Sequence, residues 1–387
     1  MSEVMQPTNQ SATDPSVLLK IINRVAVIKL NRPNSLNALS HDMVVLLSAT
    51  LYRCRTDDEI VAVVIHGAGE KAFCAGGDVT EIYERARSRD RKWLQFFVDE
   101  YRLDYAIHRF PKPVIALIDG VTMGGGMGIC QGAWLRVTTE RTKIAMAETR
   151  IGMVPDVGAT YFMAKMPVEM QLYLTLSGRP LNGADAVLCN LADVCVPSAW
   201  LVDFEARIRA LLPSALDSAL PDQLKRNLRQ VFDAPGTQVP PSQLRPVFPL
   251  VNRYFRPRAT VEDVIRSLKD ELDKCTAQDA RSWMVQTLSR LEQHSPTMLF
   301  VTREAMLRGR HSALADCFRM ELAIVSRVIE EGDFVEGVRA HLVDKDHKPK
   351  WAPASVWEVR AERVQHFLKC PWPSNDHPLR DIERLHP

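Results

Sequence analysis

The stretch Asp119-Gly120-Val121-Thr122-Met123-Gly124-Gly125-Gly126-Met127-Gly128 limits the fold more than any other part of this chain. Three consecutive glycines lose much backbone freedom on ordering, so a fold that keeps them needs a sharp turn or a very close approach there. They follow Val114–Asp119 (VIALID), an apolar run entered through Pro111 and Pro113 that reads as a buried strand. A strand followed by a glycine turn is also how phosphate-binding loops begin. The dinucleotide pattern Gly-x-Gly-x-x-Gly fails, because counting from Gly124 its last glycine falls on Ile129. No Gly-Lys-Ser/Thr follows, so a P-loop fails as well. A close helix–helix contact stays open beside a ligand-facing turn.

Two further segments place glycine and carboxylate together. Lys71-Ala72-Phe73-Cys74-Ala75-Gly76-Gly77-Asp78 comes soon after Val61–His66 (VAVVIH), a second buried-strand run ended by Gly67 and Gly69. Its glycines can expose backbone N–H groups to a ligand, or simply turn the chain into a helix. Met146 to Gly158 carries Glu148 and Asp156 on either side of Gly152 and Pro155. Such a loop can aim both carboxylates into one cavity. Asp156 is equally suited to cap a helix over Val157–Met166. Two glycine turns presenting one N–H each to a single point make an oxyanion hole, and a neighbouring carboxylate supplies the base or nucleophile of acyl transfer.

Around these segments, Val25–Leu30 (VAVIKL) reads as a strand, and Ser40 caps a helix through Arg53. Strands alternating with helices predict an α/β fold with a largely parallel sheet. After about Val196 amphipathic helical patterns take over: Trp200–Leu212, Gln223–Phe232, Val261–Leu272, Ala277–Leu291, and Thr297–Glu331 with a break near Gly309. Breaks such as Pro213, Asp233-Ala234-Pro235-Gly236 and Pro240-Pro241 separate them. The 387 residues then divide into a disordered polar tail at 1–16, an α/β core at 17–197 and a helical region at 198–387 packed on that core.

Net charge is +2, which gives no basic stripe for nucleic acid and no polybasic membrane patch. No apolar run approaches the ~18 residues of a membrane span. The eight cysteines form no Cys-x-x-Cys pair and complete no zinc pattern, so we expect free thiols in a reducing compartment and no metal. The first sixteen residues carry no Arg and no apolar core, unlike a secretory or transit segment.

The motifs LNRPNSLNALS (Leu30–Ser40), EKAFCAGGD (Glu70–Asp78), KPVIALIDGVTMGGGMG (Lys112–Gly128) and AMAETRIGMVPDVGATYF (Ala145–Phe162) resemble the crotonase (enoyl-CoA hydratase/isomerase) superfamily. With SPTM at Ser295–Met298 and DFVEGVRAHLVDKDHKPKW at Asp333–Trp351, the chain looks most like a hydrolase branch acting on a short branched 3-hydroxyacyl-CoA. The resemblance implies a ββα spiral core. It implies that the amides of Gly77 and Gly125 polarise the thioester, that Glu148 is the catalytic carboxylate, and that Asp156 places substrate or water. It puts Glu100, Ala75, Asp78 and Gly124 against the substrate. Lys71 and Arg32 are candidates for the CoA phosphates, with a solvated surface role open for each. No cofactor is implied beyond the coenzyme A within the substrate.

Two departures matter. Hydratases of the superfamily use a second glutamate at the position of Gly128, so hydration is disfavoured here. Ala159-Thr160 replaces the usual glycines of the hydrolase branch and would reshape the acyl pocket. A hydratase or isomerase with a single acid/base, and a non-catalytic acyl-CoA-binding protein, are the competing readings. The expected setting is a bacterial cytoplasm, or the mitochondrial matrix in a eukaryote. Assembly into a homo-oligomer stays open, since the helical half can cover the surface through which relatives associate.

Overall fold

The computed structural model describes residues 15–234 and 239–385. Most of the expected tail, residues 1–14, lies outside them, as do Pro235 and Gly236 of the expected break. Ser16 and Pro15 are tied down, their carbonyls accepting from the Asn31 backbone amide at 2.8 Å and its side chain at 3.0 Å.

The larger of two sheets has six strands: β1 (Val17–Ile22), β2 (Val25–Leu30), β3 (Ala62–Gly67), β5 (Val114–Ile118), β7 (Leu135–Thr138) and β9 (Val194–Cys195). They lie side by side in that order, with β1 antiparallel to β2 and every other pair parallel. Asn23 and Arg24, with φ of 48° and 64°, make the two-residue turn between β1 and β2. Alternation along the strands sends Val25, Val27, Val64, Ile115 and Val137 to one face and Ala26, Ile28, Val63, Ile65 and Ile118 to the other. The first face is covered by Phe204, Ile208, Leu224, Leu228 and Phe232, from the first helices of the C-terminal half. The second face belongs to the main core.

That core also holds a small parallel sheet, β4 (Ala72–Cys74), β6 (Val121–Met123) and β8 (Lys143–Ala145), in the order β4-β6-β8. Helices α1 (His41–Thr56), α2 (Val79–Arg87), α3 (Trp93–His108) and α4 (Gly125–Gln131) pack around the two sheets. Ser40 caps α1 as expected, its Oγ accepting from Met43 N at 3.3 Å.

The C-terminal half is helical. The pattern at Val261–Leu272 is one helix with a capping box from Thr260 and Asp263. Thr297–Glu331 resolves into Pro296–Gly309 and Leu314–Glu331. The break falls at Gly309, where an added Cβ would stand 2.5 Å from the Thr160 carbonyl oxygen. Trp200–Leu212 is two short helices, Ser198–Leu201 and Phe204–Arg209, rather than one. Among the described residues no helix is long and apolar enough to cross a membrane. All eight cysteines are free thiols.

Candidate active site

The three strands of the small sheet run parallel, and each ends in one of the glycine or carboxylate segments. β4 runs into Ala75-Gly76-Gly77, β6 into Gly124-Gly125 and β8 into Met146-Ala147-Glu148. Loops at the carboxyl ends of neighbouring parallel strands meet by construction. Here they meet in a cavity of about 400 Å³, which α3 closes with Phe96, Phe97 and Glu100.

Gly77 and Gly125 both line it. Gly77 bridges Leu39: Leu39 N donates to Gly76 O and Asp78 N donates to Leu39 O, both at 2.8 Å. In such a parallel bridge the flanking residues bond the partner, and the central N–H points the other way. Gly125 opens α4, so its N–H has no acceptor within the helix. A Cβ on Gly125 would lie 2.2 Å from Glu100 Oε1, and one on Gly77 would lie 4.0 Å from that same oxygen. Gly124 needs its freedom, with φ of 47° and Glu148 Oε1 at 3.3 Å from where its Cβ would be.

Glu148, Glu100 and Asp156 all line this cavity and are all buried. Among the described residues, Glu148 Oε2 and Glu100 Oε1 have no hydrogen-bond partner. Burial pushes both carboxyls well above the usual range, and the charge of Asp156 adds to it. Burial also raises Asp156, to about 7, against the opposing effect of the Tyr101 hydroxyl, which donates to its Oδ2 at 2.6 Å. Asp156 does not cap a helix. Val157 and Gly158 take φ of 53° and 85° in succession, and the helix Ala159–Phe162 starts from Gly158 without a side-chain cap. A β-branched residue held at such a φ stores strain of about 1–3 kcal/mol. It turns the Asp156 side chain into the cavity.

Other expected positions go elsewhere. Ala75 and Gly124 line the cavity, but Asp78 does not; its carboxylate meets Arg32 at 3.2 Å. Arg32 is thereby engaged, and it also donates to Ala38 O at 2.6 Å. Lys71 is exposed and lies off the cavity wall. Neither Ala159 nor Thr160 lines the cavity. Thr160 N and Oγ1 donate to Glu321 Oε1 at 2.8 and 2.6 Å. Gly128 has a plain reason: a Cβ there would sit 2.4 Å from Asp104 Oδ2. Asp104 is buried, neither of its oxygens has a partner, and it stands outside the cavity lining.

The motifs far along the chain fasten the Glu148 loop. Ser295 N donates to Thr149 O at 3.0 Å, and Ser295 Oγ donates to Asp333 Oδ2. A Cβ on Gly337 would meet Ile151 O at 2.2 Å, so the chain at 337 lies directly against the turn. Beyond it, a π-helical turn at Arg339–Val343 brings His341 and Leu342 to the cavity rim. Arg150 lines the same rim. Sequence reasoning did not single out Arg150, His341, Tyr101 or Asp104. A charged residue two places after Glu148 was the available signal for the first.

The chain belongs to the enoyl-CoA hydratase/isomerase family, whose sequence profile matches residues 25–368. Within that family it is similar to the 3-hydroxyisobutyryl-CoA hydrolases. It is 36% identical over 371 residues to "3-hydroxyisobutyryl-CoA hydrolase, mitochondrial" of Gallus gallus, covering 95% of this chain and 91% of the relative. It is 33% identical over 395 residues to 3-hydroxyisobutyryl-CoA hydrolase 1 of Arabidopsis thaliana, covering 97% and 99%. Its fold matches a crystal structure described as a carnitinyl-CoA dehydratase from Mycobacterium thermoresistibile, with a TM-score of 0.81 at 33% identity, covering 93% of this chain and 98% of the other.

Proposed function

We propose that this protein hydrolyses a short branched 3-hydroxyacyl-CoA, 3-hydroxyisobutyryl-CoA first among them, to the free acid and coenzyme A, a step of valine breakdown. The observation that carries the choice of hydrolysis is the filled space over Gly128. Addition of water across a double bond, as the superfamily's hydratases perform it, calls for a second glutamate there, and Asp104 occupies the volume such a side chain would need. Glu148 then works opposite the two amides without that partner. The curated relatives carry the hydrolase name.

In this reading the thioester oxygen sits between the amides of Gly77 and Gly125, which take up the negative charge that develops on it. Glu148 either attacks the carbonyl carbon, giving a transient mixed anhydride, or takes a proton from an attacking water. The sulfur leaves as the thiol of coenzyme A. Glu100 and Asp156, which line the same cavity, receive the hydroxyl of the acyl group in this reading. The reaction uses no cofactor beyond the coenzyme A of its substrate. Eight unpaired cysteines suit a reducing compartment, and a bacterial cytoplasm is the proposed setting.

A thiol-release assay across short CoA esters, run beside loss of enoyl absorbance from crotonyl-CoA, tests the proposal. The expected outcome is thiol release from the 3-hydroxyacyl ester with no hydration of crotonyl-CoA. Hydration without thiol release would replace hydrolysis by the hydratase reading, and tight ester binding with neither reaction would leave a binding protein. Glu148→Gln is expected to lower kcat by about 10²–10⁴, the scale of losing a positioned general base, while the ester still binds. Near-normal turnover in that variant removes Glu148 from the mechanism.

A further inference from the structure

The cavity is acidic at its inner end and basic at its rim, and the reaction above uses only the inner end. Arg150 lines the rim and is exposed. Among the described residues no carboxylate or other side-chain partner engages its guanidinium. Across the rim, His341 lines the same cavity with a buried, unpartnered Nε2, while its Nδ1 meets His347 Nδ1 at 3.2 Å. Burial lowers the pKa of His341, and the charge of Arg150 adds to it. Behind them Arg290, half-buried on the helix Gln278–Gln293, lies within electrostatic reach of both Arg150 and Arg179. Arg179 is held by the Tyr173 hydroxyl at 3.0 Å, a neutral partner.

Guanidinium groups gathered in this way repel one another, and an anion among them relieves the repulsion. A substrate whose acyl end lies by Glu100 and Asp156 leaves the cavity on its exposed side, where Arg150 and Leu342 stand. We propose that Arg150, backed by Arg290, receives a phosphate group of the coenzyme A portion of the substrate. This rests on the acyl-CoA reading of the cavity. It replaces Arg32, committed to Asp78, and Lys71, which stands off the cavity, as the phosphate contact.

Calorimetric titration with free coenzyme A, for wild type, Arg150→Met and Arg150→Lys, tests it. Arg150→Met is expected to weaken coenzyme A about tenfold, and Arg150→Lys to recover part of that loss. Repeating the titration with 3′-dephospho-CoA locates the contact: if the tenfold loss disappears, the 3′-phosphate is read, and if it stays, the diphosphate is. In parallel, the preference for an acyl-CoA over the matching acyl-pantetheine thioester, as a ratio of kcat/KM, should fall about tenfold in Arg150→Met. Unchanged coenzyme A affinity in Arg150→Met overturns the proposal, and so does an equal loss on the pantetheine thioester. Arg150-dependent binding of coenzyme A without thiol release from any ester would sink the hydrolase reading and leave this one standing. Thiol release by wild type with no dependence on Arg150 does the reverse.

Discussion

Glu148 is a base only while ionised, and its surroundings resist ionisation, first through burial and then through the charge of Asp156. Its folded pKa lies above the usual carboxylate range, so activity should rise with pH until that raised value is passed. We expect kcat/KM to go on climbing above the range in which an ordinary glutamate ionises, about pH 4.3. A profile already flat from about pH 5.5, more than one unit above an ordinary glutamate, would contradict this. Asp156→Asn removes the smaller of the two causes. It should move the acid limb to lower pH while reducing kcat, with little change in melting temperature. Tyr101→Phe works in the other direction, because the hydroxyl at 2.6 Å stabilises the ionised Asp156. Its loss should raise the Asp156 titration, read by NMR of the labelled carboxyl, from about 7. At this scale the sequence was legible in which residues gather: Gly77, Gly124, Gly125 and Glu148 all line one cavity. Asp104 and His341 were not legible, because an Asp inside a helix and a His near the C-terminus read as ordinary until the fold sets one over Gly128 and the other on the cavity rim.

The elements show a similar division. β2 and α1 carry clean periodic and capping signals and sit where the sequence puts them. The small sheet that delivers the site was invisible, since strands of three residues are too short for alternation to register. α3, which bears Glu100, Tyr101 and Asp104, shows no clear polar stripe because ten of its sixteen residues are buried. The turn after β8 depends on the C-terminal half as much as on its own residues. Gly337→Ala would drive a methyl against Ile151 O, now 2.2 Å from that point. Overpacking of this kind costs about 1–3 kcal/mol. The expected result is a lower melting temperature together with a fall in kcat larger than in a surface control such as Val202→Ala. Unimpaired turnover would show that the Glu148 turn does not need this support.

Across the whole molecule, two sets of buried groups oppose each other in their response to pH. His66, His108 and His294 have pKa values lowered by burial, to about 4, 3 and 4. They weaken the fold only below about 6.5, where the unfolded chain takes up protons that the native state refuses. Glu100, Asp104, Glu148, Asp156 and Glu321 have raised values, Asp156 to about 7 and Glu321 to about 8. Above pH 4 the unfolded chain releases these protons while the native state keeps them, so stability falls as pH rises through this window. Between about pH 6.5 and 8 the histidines no longer contribute and the carboxyls prevail. Calorimetric scans should therefore show a melting temperature that drops over that interval, and a rise would refute the account. The fastening of the Glu148 turn by Ser295, Asp333 and Gly337 has a further consequence during biosynthesis. The strands of both sheets leave the ribosome more than a hundred residues before Gly337 does. The nascent protein can thus assemble its scaffold early, yet it holds no finished thioester-cleaving centre until the segment around Gly337 has emerged.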